Sequence, residues 1–339
     1  MQVETRRSDL HREAGLETGA TTRYILRMTT DPLAPVSLTL ARRDPDAFAA
    51  AIGKSFEQTG FAVVSDHGID PELLKRSMEK IKAFFALPDD VKRRYKVEGG
   101  GGQRGYTPFG VEAAKGADKV DLKEFWHVAR DLPAGHRFAS QMKPNVWPKE
   151  VEGFREALSS LYAAFDDLGA TVLRAIARHL KQPDNFFAPT VKDGNSILRL
   201  LHYPPVPPNP DGLRAEAHED INTITLLLGA EEAGLQLKTR EGKWLDVNPP
   251  PNAVVVNIGD MLQRLTNGVL PSTTHRVINP TAERAHLPRY SIPFFLHFAP
   301  DFLIETMPSC VSKDRPNAWP EPITAQGYLD ERLKEIRLA

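Results

Sequence analysis

A single cysteine, Cys310, is the only thiol in this 339-residue chain. That excludes an intrachain disulfide. It also excludes a cysteine-ligated zinc or iron–sulfur centre built by this chain alone, because such sites need several thiolates. Any metal must be held by His, Asp and Glu. Long apolar runs are missing too: nothing approaches the ~18 residues of a membrane-spanning helix. No sign of charge dominates, since 43 Lys and Arg face 44 Asp and Glu for a net charge of -1. A nucleic-acid or anionic-membrane partner is therefore not expected. The opening stretch, MQVETRRSDLHREAGLETGATTRYILRM, mixes charges and lacks the apolar centre of a secretory signal. With Met28 as a second candidate start, residues 1–33 read as a mobile tail and 34–339 as one cytoplasmic domain.

What is present suits a folded core: 41% of residues are hydrophobic and 26% charged. Residues 44–58 space Phe48, Ile52 and Phe56 as a helix does, and GFAVV from Gly60 reads as a buried strand. Pro71 opens a second helix that carries Leu73, Met78, Ile81 and Phe85 on one face, and Pro88 stops it. Residues 99–116 contain four consecutive glycines and little periodicity, which predicts a flexible loop. Because it also holds Arg104, Tyr106 and Phe109, it reads as a lid or substrate-binding segment within the N-terminal helical region 34–125. A long helix is predicted over 150–181. From about 195 to 300, short β-like runs alternate with turns (SILRLLHY, TITLLL, GLQLKT, AVVVNI, HRVI, YSIPFFLHF). A final helix is predicted from about 324. The chain thus reads as α+β, with a double-sheet jelly-roll core flanked by helices.

The chemistry concentrates in that β-rich half. His218 and Asp220 stand two apart, so on an extended segment they point the same way and can grip one ion. His275 follows in another β-like run and supplies a third ligand. Two His and one carboxylate leave positions free on an octahedral metal, an arrangement characteristic of ferrous oxygenases, where O₂ and an organic ligand must both reach the ion. Arg289 and Ser291 are again two apart and share a face. A guanidinium fork and a hydroxyl suit a carboxylate, and a buried Arg needs such a partner. Tyr203 is a third candidate donor for that anion. His67, His127, His202, His286 and His297 read as structural.

Together these blocks resemble the isopenicillin N synthase-like iron- and 2-oxoglutarate-dependent dioxygenases. HEDINTITLL, NIGDMLQRLTNG, THRVINP and RYSIPFF are similar to that family's core blocks, and GFAVVSDHGI, FFALPDDVKRRY, RGYTPFG and DLKEFW to its N-terminal and lid blocks. The resemblance implies a double-stranded β-helix, with Fe(II) on His218, Asp220 and His275. It implies 2-oxoglutarate on Arg289, Ser291 and Tyr203, O₂ as the other cosubstrate, and hydroxylation or desaturation of a small molecule. Leu201 departs from the pattern, because many members carry Asn there. Arg104, Tyr106, Phe109 and Phe295 are candidate substrate contacts. Two alternatives stay open at this point: an Fe(II) oxidase of the same fold that does not use 2-oxoglutarate, and a non-catalytic metal-binding jelly-roll protein.

Overall fold

A computed structural model of the chain describes residues 31–99, 102–112, 120–207, 210–228 and 233–335. The tail expected over 1–33 therefore lies, up to residue 30, outside the described residues. The elements run β1 (Val36–Ser37), α1 (Thr39–Arg43), α2 (Pro45–Thr59), β2 (Phe61–Ser65), α3 (Pro71–Phe85) and α4 (Asp89–Arg93). Next come β3 (Gly105–Thr107), β4 (Glu124–Ala129), the long α5 (Phe154–His179) and the short α6 (Ala188–Val191). The β-rich half follows with β5 (Ile197–Tyr203), β6 (Ala215–His218), β7 (Ile224–Leu228), β8 (Leu235–Lys238), β9 (Trp244–Asp246) and β10 (Val254–Ile258). The chain ends with α7 (Asp260–Leu265), β11 (His275–Val277), β12 (Arg289–Leu296), β13 (Leu303–Ile304), β14 (Ile323–Thr324) and α8 (Ala325–Glu335). No described helix is long and apolar enough to cross a membrane.

Local chemistry sets the helix ends. Asp44 and Asp70 accept hydrogen bonds from Ala47 N and Glu72 N, and a proline opens each helix behind them. Gly60 closes α2 in the left-handed region at φ 72°, and a Cβ there would stand 2.5 Å from the Pro271 carbonyl oxygen.

Eight strands form one sheet in the order β1-β2-β10-β7-β12-β5-β4-β3, and four form a second in the order β6-β11-β8-β9. The larger sheet has two distinct faces because strand side chains alternate. Ala62, Val64, Leu198, Leu200, Ile224, Leu226, Val254, Val256, Ile292 and Phe294 pack in the core shared with the helices. Their alternates Arg199, Leu201, Tyr203, Thr225, Leu227, Asn257, Arg289, Ser291 and Phe295 line a pocket closed from the other side by residues of the smaller sheet. Phe61, Val63 and Val255 join Leu235 and Leu237 in a cluster between the two sheets. The result is an α+β jelly roll flanked by helices, the architecture that the sequence texture implies.

The lid region differs from expectation. The stretch read as a loop over 99–116 contains β3, which pairs antiparallel with β4 from Gly105↔His127 to Thr107↔Phe125 and ends the larger sheet. Three residues behind a glycine run are too short to display an alternating pattern, so only the partner strand reveals them. Residues 100–101 and 113–119 of the lid region are outside the described residues.

Phe84 ties the layers together. Its ring meets Trp126 at 4.7 Å, and Phe154 and Tyr106 each at 5.8 Å, joining α3 to β4, α5 and β3. Phe84→Ala is expected to lower the unfolding free energy by about 3–5 kcal/mol, the usual cost of emptying a fully buried aromatic site. Denaturant titration measures it, and a loss under about 1 kcal/mol would mean that the cluster collapses without penalty.

Candidate metal centre

β6 ends on His218 and β11 begins on His275, and the two residues sit directly opposite one another in the antiparallel pair. Asp220 follows in the turn after β6. Ligand atoms of all three lie within 4.8 Å of one another, the one such His/Asp/Glu/Cys group found among the described residues. The Nε2 atoms of His218 and His275 are 3.9 and 3.8 Å from Asp220 Oδ1.

The orientation of each donor has a visible cause. His218 Nδ1 lies 2.7 Å from the Glu216 carbonyl oxygen and His275 Nδ1 3.1 Å from that of Thr273. A carbonyl only accepts, so both rings carry their proton on Nδ1 and present the Nε2 lone pair to the common centre. The Phe61 ring meets His275 edge-on at 5.5 Å. Burial pushes His218 below the usual imidazole range, the neighbouring His275 adds to this, and the attraction of Asp220 does not offset it. Asp220 is buried, which favours its protonated form. The two imidazoles and hydrogen bonds from Asn257 and Thr225 outweigh that and hold it below the usual carboxylate range. Asn257 Nδ2 (2.8 Å) and Thr225 Oγ1 (2.5 Å) both donate to Oδ2, which leaves Oδ1 facing the imidazoles.

Behind this lies the start of α7. The first amides of a helix have no partner within it. Here Gly259 N donates to Thr223 O (3.0 Å), Asp260 N to Asp220 O (2.7 Å) and Met261 N to Asn222 O (3.2 Å). The orphan donors of the NIGDML segment thereby fix the carbonyls of the loop that carries Asp220.

On the far wall, Arg289 and Ser291 share the pocket face of β12 and pair across to Tyr203 and Leu201 of β5. All four are buried, and the Arg289 guanidinium lies 5.0 Å from the centre of the Tyr203 ring. Leu201 packs with Phe125 and Tyr203. Phe295 also lines the pocket. The structure does not bring the other lid residues there. Arg104 is buried elsewhere, donating to Lys143 O, Gln103 O and Asn195 Oδ1, and burial lowers its pKa to about 10. Tyr106 donates to Glu124 and, with Arg104, borders a separate cavity near α8. Phe109 is 47% exposed. Sequence reading overlooked Asn257 and Thr225 as supports, and Lys123 and Arg199 as pocket residues. Asn257 carried a signal, a lone amide in the otherwise apolar VVVNI, and Arg199 carried another, being in phase with Leu201 and Tyr203.

Known proteins resemble the chain over most of its length. Residues 32–150 match the model of the non-haem dioxygenase in morphine synthesis N-terminal family, and residues 194–298 that of the 2OG-Fe(II) oxygenase superfamily. The 2-oxoglutarate-Fe(II) type oxidoreductase hxnY of Emericella nidulans is 35% identical over 295 residues, covering 84% of this chain and 83% of the relative. Among solved structures, a 2OG-Fe(II) oxygenase family protein from Caulobacter crescentus is 56% identical at a TM-score of 0.84, over 90% of this chain and 99% of that one. A full-length Neurospora crassa protein, in complex with alpha-KG (2-oxoglutarate) and thymine, is 30% identical at a TM-score of 0.78, over 90% of this chain and 98% of its own.

One position tests the α7 support directly. A Cβ on Gly259 would stand 2.1 Å from the Asn222 carbonyl oxygen, two residues from Asp220. Gly259→Ala is expected to destabilise the fold by about 1–3 kcal/mol, since backbone must move to admit the methyl group. Thermal and denaturant unfolding report it, and wild-type stability in the variant would show that this turn does not brace the loop.

Proposed function

The chain belongs to the 2OG-Fe(II) oxygenase superfamily, and from that premise we propose that His218, Asp220 and His275 hold its ferrous ion while Arg289, Ser291 and Tyr203 hold 2-oxoglutarate. The protein is an iron(II)- and 2-oxoglutarate-dependent oxygenase that uses O₂. The observation that carries the ligand assignment is the convergence of two Nε2 lone pairs and one carboxylate oxygen, each fixed by its own hydrogen bond. Two neutral imidazoles and a carboxylate are the donor set that suits ferrous iron and leaves positions for exchangeable ligands. When bound, iron with 2-oxoglutarate and O₂ supplies an oxidant able to take hydrogen from an unactivated carbon, as the cosubstrate is converted to succinate and CO₂.

The chain's residues supply position and dryness. Arg289 offers its fork to the distal carboxylate, Ser291 adds a hydroxyl on the same face, and Tyr203 packs beneath the guanidinium. Burial of all three strengthens each of these contacts by excluding water. The substrate is a small molecule, oxidised by hydroxylation or desaturation, by analogy with the thymine held in the Neurospora crassa complex. Phe295 forms part of its wall. Arg104, Tyr106 and Phe109 do not line this pocket, so Phe295 is the one residue we retain of that group. A cytoplasmic location suits a chain whose one cysteine is free and buried. The relatives favour neither a 2-oxoglutarate-independent oxidase nor a non-catalytic binder.

Succinate formation coupled to O₂ uptake by the iron-loaded protein tests this function, and O₂ uptake without succinate would contradict it. His218→Ala and Asp220→Ala should each weaken Fe(II) binding by more than the about 10–100-fold that loss of an outer support costs, and should end turnover. Anaerobic Fe(II) titration reads this out, and wild-type activity in either variant would refute the ligand set. Arg289→Ala should raise the 2-oxoglutarate KM about 30-fold or more, the effect of truncating one partner of a buried charge pair. A change confined to the other substrate would reassign Arg289.

A further inference from the structure

Besides Arg289 the pocket contains two cations, Arg199 and Lys123, that the iron and cosubstrate roles do not use. Arg199 sits on β5 in phase with Leu201 and Tyr203, with its guanidinium 4.2 Å from the Phe125 ring centre and 5.1 Å from that of Phe295. Its Nε donates to His127 Nε2 (2.6 Å) and its Nη1 to Glu112 Oε1 (3.1 Å). His127 therefore carries its proton on Nδ1, which faces the Gly102 carbonyl oxygen at 2.5 Å. Burial holds this ring far below the usual imidazole range, so it is a neutral acceptor for Arg199. Lys123 stands alongside, with Nζ 2.8 Å from Glu112 Oε1 and 2.6 Å from Asp121 Oδ2. Asp121 Oδ1 in turn accepts from Glu216 N (3.0 Å), which ties the group to the strand bearing His218.

Two features make this more than a structural ion pair. Arg199 meets Glu112 through one nitrogen, on an oxygen that it shares with Lys123, and not through the parallel two-bond pairing that would use up the fork. Among the described residues, Arg199 Nη2 has no partner, although the side chain lines the pocket and is only 14% exposed. The guanidinium is thus held on three sides, by His127, Glu112 and Phe125, with one edge left over. Arg has donors and no acceptor, so what meets that edge must be an acceptor, best a planar anion. Beside it Leu201, Pro293 and Phe295 give the pocket an apolar stretch, while Phe125 packs against Leu201 and under the guanidinium. Tyr203, against which Arg289 packs, is four residues along the strand, roughly 13 Å at the usual rise, so Arg199 and Arg289 serve different ends of the pocket.

Resting on the oxygenase function proposed above, we infer that Arg199, with Lys123 beside it, receives the carboxylate of an organic-acid substrate whose apolar body lies along Leu201, Pro293 and Phe295. Glu112 and His127 are positioning residues, which hold the fork through Nη1 and Nε and leave the Nη2 donor for the pocket.

The test uses the full chain loaded with Fe(II) and 2-oxoglutarate. Phenylacetate, benzoate and hexanoate are compared with their primary amides, by anaerobic calorimetric titration and by stimulated succinate formation in air. At least one acid should bind about ten-fold or more tighter than its amide, the difference a charge-assisted hydrogen bond makes in a dry site. Arg199→Gln should erase that preference while the 2-oxoglutarate KM stays within about two-fold. Equal binding of acids and amides by the wild type, or no binding of any acid, overturns the inference without needing a variant to fold. An Arg199→Gln protein that keeps the preference but needs about ten-fold more 2-oxoglutarate would assign Arg199 to the cosubstrate and also overturns it. Slow succinate formation that persists without any acid preference sinks this subsite alone. Absence of iron-dependent succinate formation under every condition sinks the oxygenase function itself.

Discussion

Three electron-rich atoms held within 4.8 Å of each other, in a largely buried place, are the constraint around which this fold is arranged. Lone pairs brought together without a cation repel, and a carboxylate out of water is costly. The chain offsets that cost with donors aimed at the parts of each ligand that do not face inward: Asn257 and Thr225 on the outer oxygen of Asp220, and α7 amides on the loop behind it. Each of these supports comes from a different stretch of sequence, so the centre can form only when β7, β10 and α7 are in place.

The sheet extends the same economy to the rest of the pocket. Because side chains alternate, one set of strands builds both the helix-facing core and the polar chamber. Charges in that chamber are sorted by position. Arg289 and Ser291 occupy one end of the β5–β12 pair, and Arg199 with Glu112, His127 and Lys123 around it stands further along. Burial would disfavour both partners of the Glu112–Lys123 contact, yet Arg199 and Lys123 hold Glu112 ionised and Glu112 and Asp121 hold Lys123 charged. Neither group could stay buried and charged alone.

Much of this was legible in the sequence. His218, Asp220 and His275 could be picked out from the two-residue spacing that Arg289 and Ser291 repeat later, although β6 ends at His218 and Asp220 is held in the following loop by Thr225, Asn257 and α7. The helices over 44–58, 71–85 and 150–181 announced themselves by their apolar spacing, two of them also by an Asp-Pro start. What stayed hidden depends on pairing across the sheet. β3 has three residues and no pattern of its own, and Lys123 and Arg199 come near each other through the β4–β5 pairing and meet on Glu112. Arg104 shows the opposite error. It sits in a glycine-rich stretch that invites a lid reading, yet its donors are absorbed by two carbonyls and Asn195.

The two imidazoles are oriented by carbonyls two residues upstream in their own chain segments, Glu216 for His218 and Thr273 for His275. A carbonyl is supplied by every amino acid, so no side chain has to be kept for these rings to aim correctly. Asp220 differs, since its orientation relies on the identities of Thr225 and Asn257. Mutational tolerance around the centre is therefore lopsided. Residues 216 and 273 are free to drift as long as the backbone stays extended, whereas drift at 225 or 257 unseats the carboxylate, and over evolutionary time divergence should collect around the histidines and spare the surroundings of the aspartate.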